Sequence, residues 1–309
     1  MSLDSAIPDD LVAAYLETLQ TKAASTIDVY QRILHQFTDW LTTRPGGQDG
    51  FQPAQLTATA LDTYLKQREA AGISLSHRTR IKTVVGTFAG WLIEEHGLLR
   101  RNPARQVTLP PQPALAPRKL TNDQRDVLRE LIERADTPRS AAIFALGYWV
   151  GCRVSDIAHL RMEHTHLTRK TGWLHVGYKG GKARDIDLHN EARRPLLAYL
   201  DCGGRDPDSP YVFTSQRHAR LTEAGIHHWF RQIKARATKF EWEIIAPVRF
   251  HDLRHDFAHR ARAAGWSLEE LAYYLGHLTR KGTPAIQTTV RYTQVSRDDL
   301  KARIADLRD

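Results

Sequence analysis

The stretch QVTLPPQPALAPR, residues 106–118, holds four prolines. Each proline fixes φ and lacks an N–H donor, so neither a helix nor a paired strand runs through such a stretch. The chain therefore reads as two bodies, residues 1–105 and 119–309, joined by an extended, semi-rigid linker. At 309 residues there is room for a separate core in each. No run of 18 apolar residues occurs, so no membrane span is expected. The start, MSLDSAIPDD, is acidic and polar, unlike a signal peptide. Two cysteines, Cys152 and Cys202, make no disulfide framework, and a reducing, cytoplasmic setting is the expectation.

Residues 1–105 read as a helical bundle of about four helices. Pro8 suits a first helical turn, followed by Leu11, Tyr15, Leu16 and Leu19 on one face. Ser25 and Asp28 resemble a capping box before the stripe Ile27, Tyr30, Leu34, Phe37 and Leu41. RPGGQDG, residues 44–50, breaks the pattern as a loop. A shorter helix carries Leu61, Tyr64 and Leu65. Ser76 then opens a fourth with Ile81, Val84, Val85, Phe88 and Leu92. The start of that fourth helix is basic, with His77, Arg78, Arg80 and Lys82. A solvated face and a nucleic-acid contact are the two readings of it.

Residues 119–309 read as mostly helical with a small β element. Thr121 and Gln124 form a capping box. SAAIFALGYWV, residues 140–150, is apolar all round and reads as a buried helix stopped by Gly151. Arg153 follows that stop, and Ser155 and Asp156 look like the start of the next helix. Asp156 is expected to orient Arg153 or cap that helix. Residues 173–188 read as a β-hairpin: WLHVGY alternates, KGGKAR turns, and DIDL alternates again. Residues 190–202 and 222–238 read as amphipathic helices, the second basic through Arg231, Lys234 and Arg236. Ser296 to Asp309 reads as a charged helix with Leu300, Ile304 and Leu307 on one side.

The chemistry concentrates in FHDLRHDFAHRARAAGWSLEELAYYLGHLTRKGTPAIQTTVRY, residues 250–292. His251 and Arg254 stand three apart and so share a helix face. His277 ends LAYYLGH, and Tyr292 stands alone after TTVR. An arginine grips two phosphate oxygens with a planar fork, histidine moves protons near neutrality, and a tyrosine hydroxyl can attack to form a covalent intermediate. This set suits phosphate chemistry that needs no metal. No Walker-type phosphate loop and no zinc-type histidine spacing appears, although His251, His255 and His259 fall on one face; no cofactor is expected. Charge agrees: up to residue 118 there are 12 Lys+Arg against 11 Asp+Glu, and beyond it 32 against 24. A basic second region suits a phosphate-backbone partner.

GCRVSDIAHL around Arg153, KGGKAR from Lys179, HDLRH, LGH and a lone tyrosine, in that order, resemble the tyrosine recombinase (phage integrase) family. The resemblance implies a fold mainly of α-helices with a small sheet: an N-terminal helical core-binding domain and a mixed, mostly helical catalytic domain with a tail helix. It implies site-specific cutting and rejoining of double-stranded DNA through a 3′-phosphotyrosine. Arg153 and Arg254 would bind the non-bridging oxygens, Lys179 would protonate the leaving 5′-oxygen, His251 would accept the Tyr292 proton, and His277 would donate to the phosphate. Lys182 is a neighbour of Lys179 and a second candidate at the same tip. His77, Arg78, Arg80, Lys82, Lys182, Arg231 and Lys234 are the expected DNA contacts. The tail is expected to dock on a neighbouring subunit, within a tetramer on two DNA sites in the nucleoid. With the helical domain starting almost at once, a compact Xer-like or mobile-element recombinase is expected rather than a larger phage integrase. Type IB topoisomerase activity, or DNA binding without catalysis, is the alternative. Tyr273 and Tyr274 are rival nucleophiles set inside an apolar helix pattern. The 14 residues between His277 and Tyr292 exceed the family's usual link, and Gly282 and Pro284 put the excess in a loop.

Overall fold

In the computed structural model, residues 10–45, 50–112, 119–177, 183–215, 218–279, 281–290 and 292–293 are described. The chain divides into two units, Met1–Ala114 and Leu115–Asp309. Pro8, both lysines of the hairpin tip and the whole tail from Ser296 lie outside the described residues.

Asp10 starts the first helix, α1 (Leu11–Glu17), because its carboxylate accepts the N–H groups of Val12 and Ala13 at 3.0 and 2.9 Å. Helix α2 (Ala24–Thr42) begins behind Ala23 with no capping side chain, so the expected Ser25 box does not form. Helix α3 (Ala58–Ala70) is capped by Thr57. Helix α4 (Leu75–Glu94) starts from Ser74, two residues before the expected Ser76, because the Ser74 hydroxyl accepts His77 N–H at 3.3 Å. Phe37, Tyr64, Val85, Phe88 and Leu92 meet in the core of this unit. The chain after α4 stays packed: Asn102 donates its side-chain amide to Gly86 O at 2.7 Å, and Ala104 and Val107 are buried. The proline-rich stretch thus begins as part of the helical unit's core.

In the second unit, the Thr121–Gln124 box closes with two 3.1 Å hydrogen bonds and starts α5 (Asn122–Ala135). Helix α6 (Pro138–Tyr148) is buried along most of its length. The short α7 (Val154–Ala158) follows Gly151 and Arg153. The expected hairpin is a three-stranded antiparallel sheet, β1 (Thr165–Leu167), β2 (Gly172–Val176) and β3 (Arg184–Asp187), in the order β1-β2-β3. Leu174 pairs with Ile186 and points inward; Val176 pairs with Arg184. Helix α8 (Asn190–Asp201) ends at Cys202, which is exposed. The expected helix over 222–238 is α9 (Glu223–Lys234), which stops short, and an unexpected helix, α10 (Lys239–Ile245), follows because Thr238 starts a new capping box with Glu241. Helix α11 (Phe250–Ala263) lies against α6 so closely that a Cβ at Gly147 would sit 2.8 Å from Phe250 Cζ. The fully buried Asp256 accepts from Leu120 N at 3.1 Å, Arg125 Nη2 at 2.8 Å and Arg260 Nε at 3.0 Å, which ties α5 to α11. Helix α12 (Leu268–Leu275) has the expected Ser267–Glu270 box and ends at Gly276, and α13 (Ile286–Val290) precedes Tyr292. Among the described residues, no helix is long and apolar enough to cross a membrane.

Candidate active site

Two glycine stops build the site. Gly151, after α6, has φ +67°, and Gly276, after α12, has φ +65°. Both conformations are cheap for glycine and strained for other residues. Helix ends also leave carbonyls without an intrahelical partner. Arg254, 1% exposed on the inner face of α11, takes those carbonyls: Nη1 donates to Gly151 O and Nη2 to Leu275 O, each at 2.6 Å. A buried guanidinium is thereby fixed by main-chain atoms from two elements.

Arg153 sits beside it. Its N–H donates to Asp156 at 3.1 Å, so Asp156 caps α7, and its Nη2 donates to Gly276 O at 3.3 Å. A third arginine, Arg184 on β3, is also buried. Its Nε donates to Tyr274 O at 2.5 Å and its Nη2 to Asp156 at 3.4 Å. A Cβ on Gly276 would stand 2.8 Å from Arg184 Nη1, so the glycine also makes room for this side chain. Burial and the neighbouring Arg153 push Arg254 down to about 9, and burial lowers Arg153 as well. Both remain cations at neutral pH. Asp156 accepts from the Arg153 backbone N–H and the Arg184 guanidinium, and not from Arg254. Three guanidinium groups held mainly by main-chain carbonyls, with one carboxylate among them, favour an anion with several oxygens. Cys152 is buried here, and burial pushes its thiol up to about 12, so it is no thiolate nucleophile.

The tyrosine lies against the same helix. Tyr292 Oη is 3.3 Å from His251 Nε2. Its ring stacks on His255, with centroids 4.2 Å apart and planes 21° from parallel, and lies 4.7 Å from the His277 ring. Arg254 Cζ is 5.7 Å from the Tyr292 ring centre. His277, 3% exposed, meets Arg254 Nη2 through Nε2 at 3.2 Å and Thr289 Oγ1 through Nδ1 at 3.1 Å. A guanidinium only donates, so Nε2 is the acceptor in this contact. The expected phosphate donor is an acceptor from Arg254 when no phosphate is present.

The structure thus brings together Arg153, His251, Arg254, His277 and Tyr292. Lys179 and Lys182 lie outside the described residues. The segment after His277 is folded rather than a plain loop. Thr279 N donates to Thr283 O at 2.8 Å, Leu278 bridges Pro284, and Ala285 N donates to His277 O at 2.6 Å. The rival Tyr274 packs between Phe257 and Trp266, and burial raises its hydroxyl's pKa; Tyr273 is 62% exposed.

Two of the expected DNA contacts are buried. Arg78 faces α3, where its Nη2 is 2.7 Å from Glu69, and is 7% exposed. Lys234 is 7% exposed, and its ammonium donates to Ala246 O and Val248 O at 2.8 and 2.9 Å, where α10 ends. Arg80 and Arg231 are exposed, and His77 and Lys82 half-exposed.

Sequence reasoning gave no role to Arg184, His255 or Thr289. Each had a weak signal: Arg184 closes KGGKAR, His255 stands one turn beyond His251, and Thr289 precedes Tyr292 by three. Nothing in the spacing says that they face the same cavity. Among the described residues, no three His, Cys, Asp or Glu side chains cluster to hold a metal ion.

The phage integrase family matches residues 118–298. Over 305 residues, 94% of this chain and 92% of the relative, it is 30% identical to tyrosine recombinase XerC of Bacillus pumilus (strain SAFR-032). Over 288 residues, 90% and 86%, it is 30% identical to tyrosine recombinase XerD of Ralstonia nicotianae (strain ATCC BAA-1114 / GMI1000). The fold is similar to that of the Tn1549 transposon integrase in complex with circular intermediate DNA, with TM-score 0.73, 18% identity, and 95% and 97% of the two chains covered. It is similar also to the XerH site-specific recombinase bound to palindromic difH substrate, with TM-score 0.71, 17% identity, and 95% and 83% covered. With arginines, histidines and a tyrosine in one cluster and this kinship along nearly its whole length, the chain belongs to the phage integrase family of tyrosine recombinases.

Proposed function

We propose that the protein cuts and rejoins double-stranded DNA at specific sites, with Tyr292 as nucleophile. The observation that carries this is the placement of the Tyr292 hydroxyl 3.3 Å from His251 Nε2, beside the buried Arg254 and the half-buried Arg153 of the same chain. Tyr292 Oη attacks the scissile phosphorus as His251 takes its proton. The P–O bond to the 5′-oxygen breaks, and Lys179 protonates that oxygen. A 3′-phosphotyrosine and a free 5′-hydroxyl result. Attack by a partner strand's 5′-hydroxyl reverses the step and rejoins DNA, so the phosphodiester energy is kept in the covalent link.

Arg153 and Arg254 neutralise the charge that grows on the non-bridging oxygens. As phosphate draws Arg254 Nη2 to its oxygen, His277 Nε2 is released and, with a proton taken from solvent, donates to the same group. Attack is within one subunit, since Tyr292 already lies on its own chain's histidines. The helical unit grips one side of the duplex, with His77, Arg80 and Lys82 toward the backbone and Arg231 adding a contact from the second unit. Solved structures of similar fold on difH and circular-intermediate DNA support DNA as the partner; strand exchange between two DNA sites, each held by two subunits, makes a homotetramer the assembly we infer, acting in the cytoplasm.

The test is covalent trapping. Protein is mixed with plasmid carrying the DNA that flanks its own gene, quenched with detergent, and scored for protein bound to DNA. Wild type is expected to give an adduct and Tyr292→Phe none. An adduct that persists in Tyr292→Phe would sink the assignment of the nucleophile. A wild-type adduct that only relaxes supercoils, with no partner exchange, would replace recombination with topoisomerase activity.

A further inference from the structure

We propose that Thr289 is a positioning residue that sets His277 and Tyr292 together; this rests on the recombinase reading. Thr289 is fully buried on α13, one turn before Tyr292. Its hydroxyl oxygen is 3.1 Å from His277 Nδ1 and 3.5 Å from Ala285 O. Its own carbonyl accepts Tyr292 N–H at 2.8 Å.

The proton inventory fixes the direction of this chain. Arg254 Nη2, 3.2 Å from His277 Nε2, has only hydrogens to offer, so Nε2 presents a lone pair. A neutral imidazole carries its proton on the other nitrogen, which is Nδ1. Nδ1–H donates to Thr289 Oγ1, whose own hydrogen points to Ala285 O. Arg254, donating to Nε2, and Thr289, accepting from Nδ1–H, thus select together the tautomer that leaves Nε2 facing Arg254 and the phosphate position. The same residue, through its main chain, registers the nucleophile. When α13 is seated, the histidine is oriented and the tyrosine is in place; when it is withdrawn, His277 loses the acceptor that, with Arg254, defines its tautomer. One seating event therefore arms two groups.

The test reads the tautomer directly. Long-range proton–nitrogen correlation spectra are taken of the full-length protein labelled with nitrogen-15 in histidine, without DNA. His277 is expected as the Nδ1–H tautomer in wild type and in Thr289→Ser. It is expected as the Nε2–H tautomer or a mixture in Thr289→Val, which keeps the shape and removes the acceptor. Thr289→Ala removes the same acceptor with a smaller side chain and is expected to match Val. Adduct formation is expected to fall roughly 10–100-fold in Thr289→Val, the range seen when the partner that orients a metal-ligating histidine is lost. It should recover in Thr289→Ser, and Val should add no further loss in a His277→Ala background. An unchanged Nδ1–H tautomer in Val and Ala, or Ser behaving like Val, overturns the proposal. Tautomer coupling in a wild-type protein that forms no adduct on any DNA would support the Thr289–His277 link and break the recombinase reading instead.

Discussion

The second unit's cavity and the first turns of α4 both gather basic side chains, and they hold them in opposite ways. In the cavity, Arg153, Arg184 and Arg254 bond carbonyls at helix ends or Asp156, and their places are set before any phosphate arrives. On α4, Arg80 is exposed and Lys82 half-exposed. Only Arg78 is fixed, and it is fixed to Glu69. The difference separates chemistry from grip. Stabilising developing charge needs donors that do not reorganise during the step. Holding a polyanion needs only charges near its backbone, and flexible ones serve.

The largest expected effect lies in the cavity. Arg254→Gln and Arg153→Gln should each lower adduct formation by roughly 10²–10³-fold, as loss of one preorganised donor does, with little change in DNA affinity. A loss that appeared mainly in affinity, read by fluorescence anisotropy on a labelled duplex, would erase the contrast between the two regions.

Lys234 belongs with the fixed group, although it lies far from α4 in sequence and outside the cavity's hydrogen-bond set. Lys234→Met leaves Ala246 O and Val248 O without their donor and should cost about 1–3 kcal/mol of stability. Denaturant midpoints would measure it, and binding should be unchanged once folding is restored. Weaker binding with unaltered stability would return Lys234 to the DNA surface.

The smallest effect is expected on α4. Arg80→Ala and Lys82→Ala should each reduce the slope of log K against log salt by about one, uniformly across sequences. Arg78→Ala should leave that slope alone and lower stability by no more than about 1 kcal/mol, since Glu69 is largely in solvent. A slope change for Arg78→Ala that equalled the Arg80 effect would show the ion pair opening for DNA.

The contrast also marks where sequence reading stops. HDLRH and LGH were legible because i, i+3 spacing and a glycine stop are local properties of one chain segment. The capping boxes at Thr121 and Ser267 were legible for the same reason. The fate of a cation was not. Arg78 and Arg80 are two apart, so a helix turns them to different faces. Whether the buried face holds a carboxylate depends on Glu69, supplied by another helix. Lys234 looked like part of a basic face because the break before α10 was missed, and with it the carbonyls that the ammonium caps. Strand β1 is three residues long and shows too little alternation to announce itself. The segment from 278 to 291 read as surplus loop because nothing in its composition reveals that Ala285 and Thr289 bond back to His277.

The two cysteines make the native chain a ready instrument for watching assembly. Cys152 is sealed in the site with its thiol held protonated, whereas Cys202 is exposed at the end of α8. A maleimide dye added to the folded protein will mark Cys202 alone, with no cysteine engineered out. Mixing donor- and acceptor-labelled batches then lets energy transfer test in real time whether subunits pair on DNA, from a position outside the site.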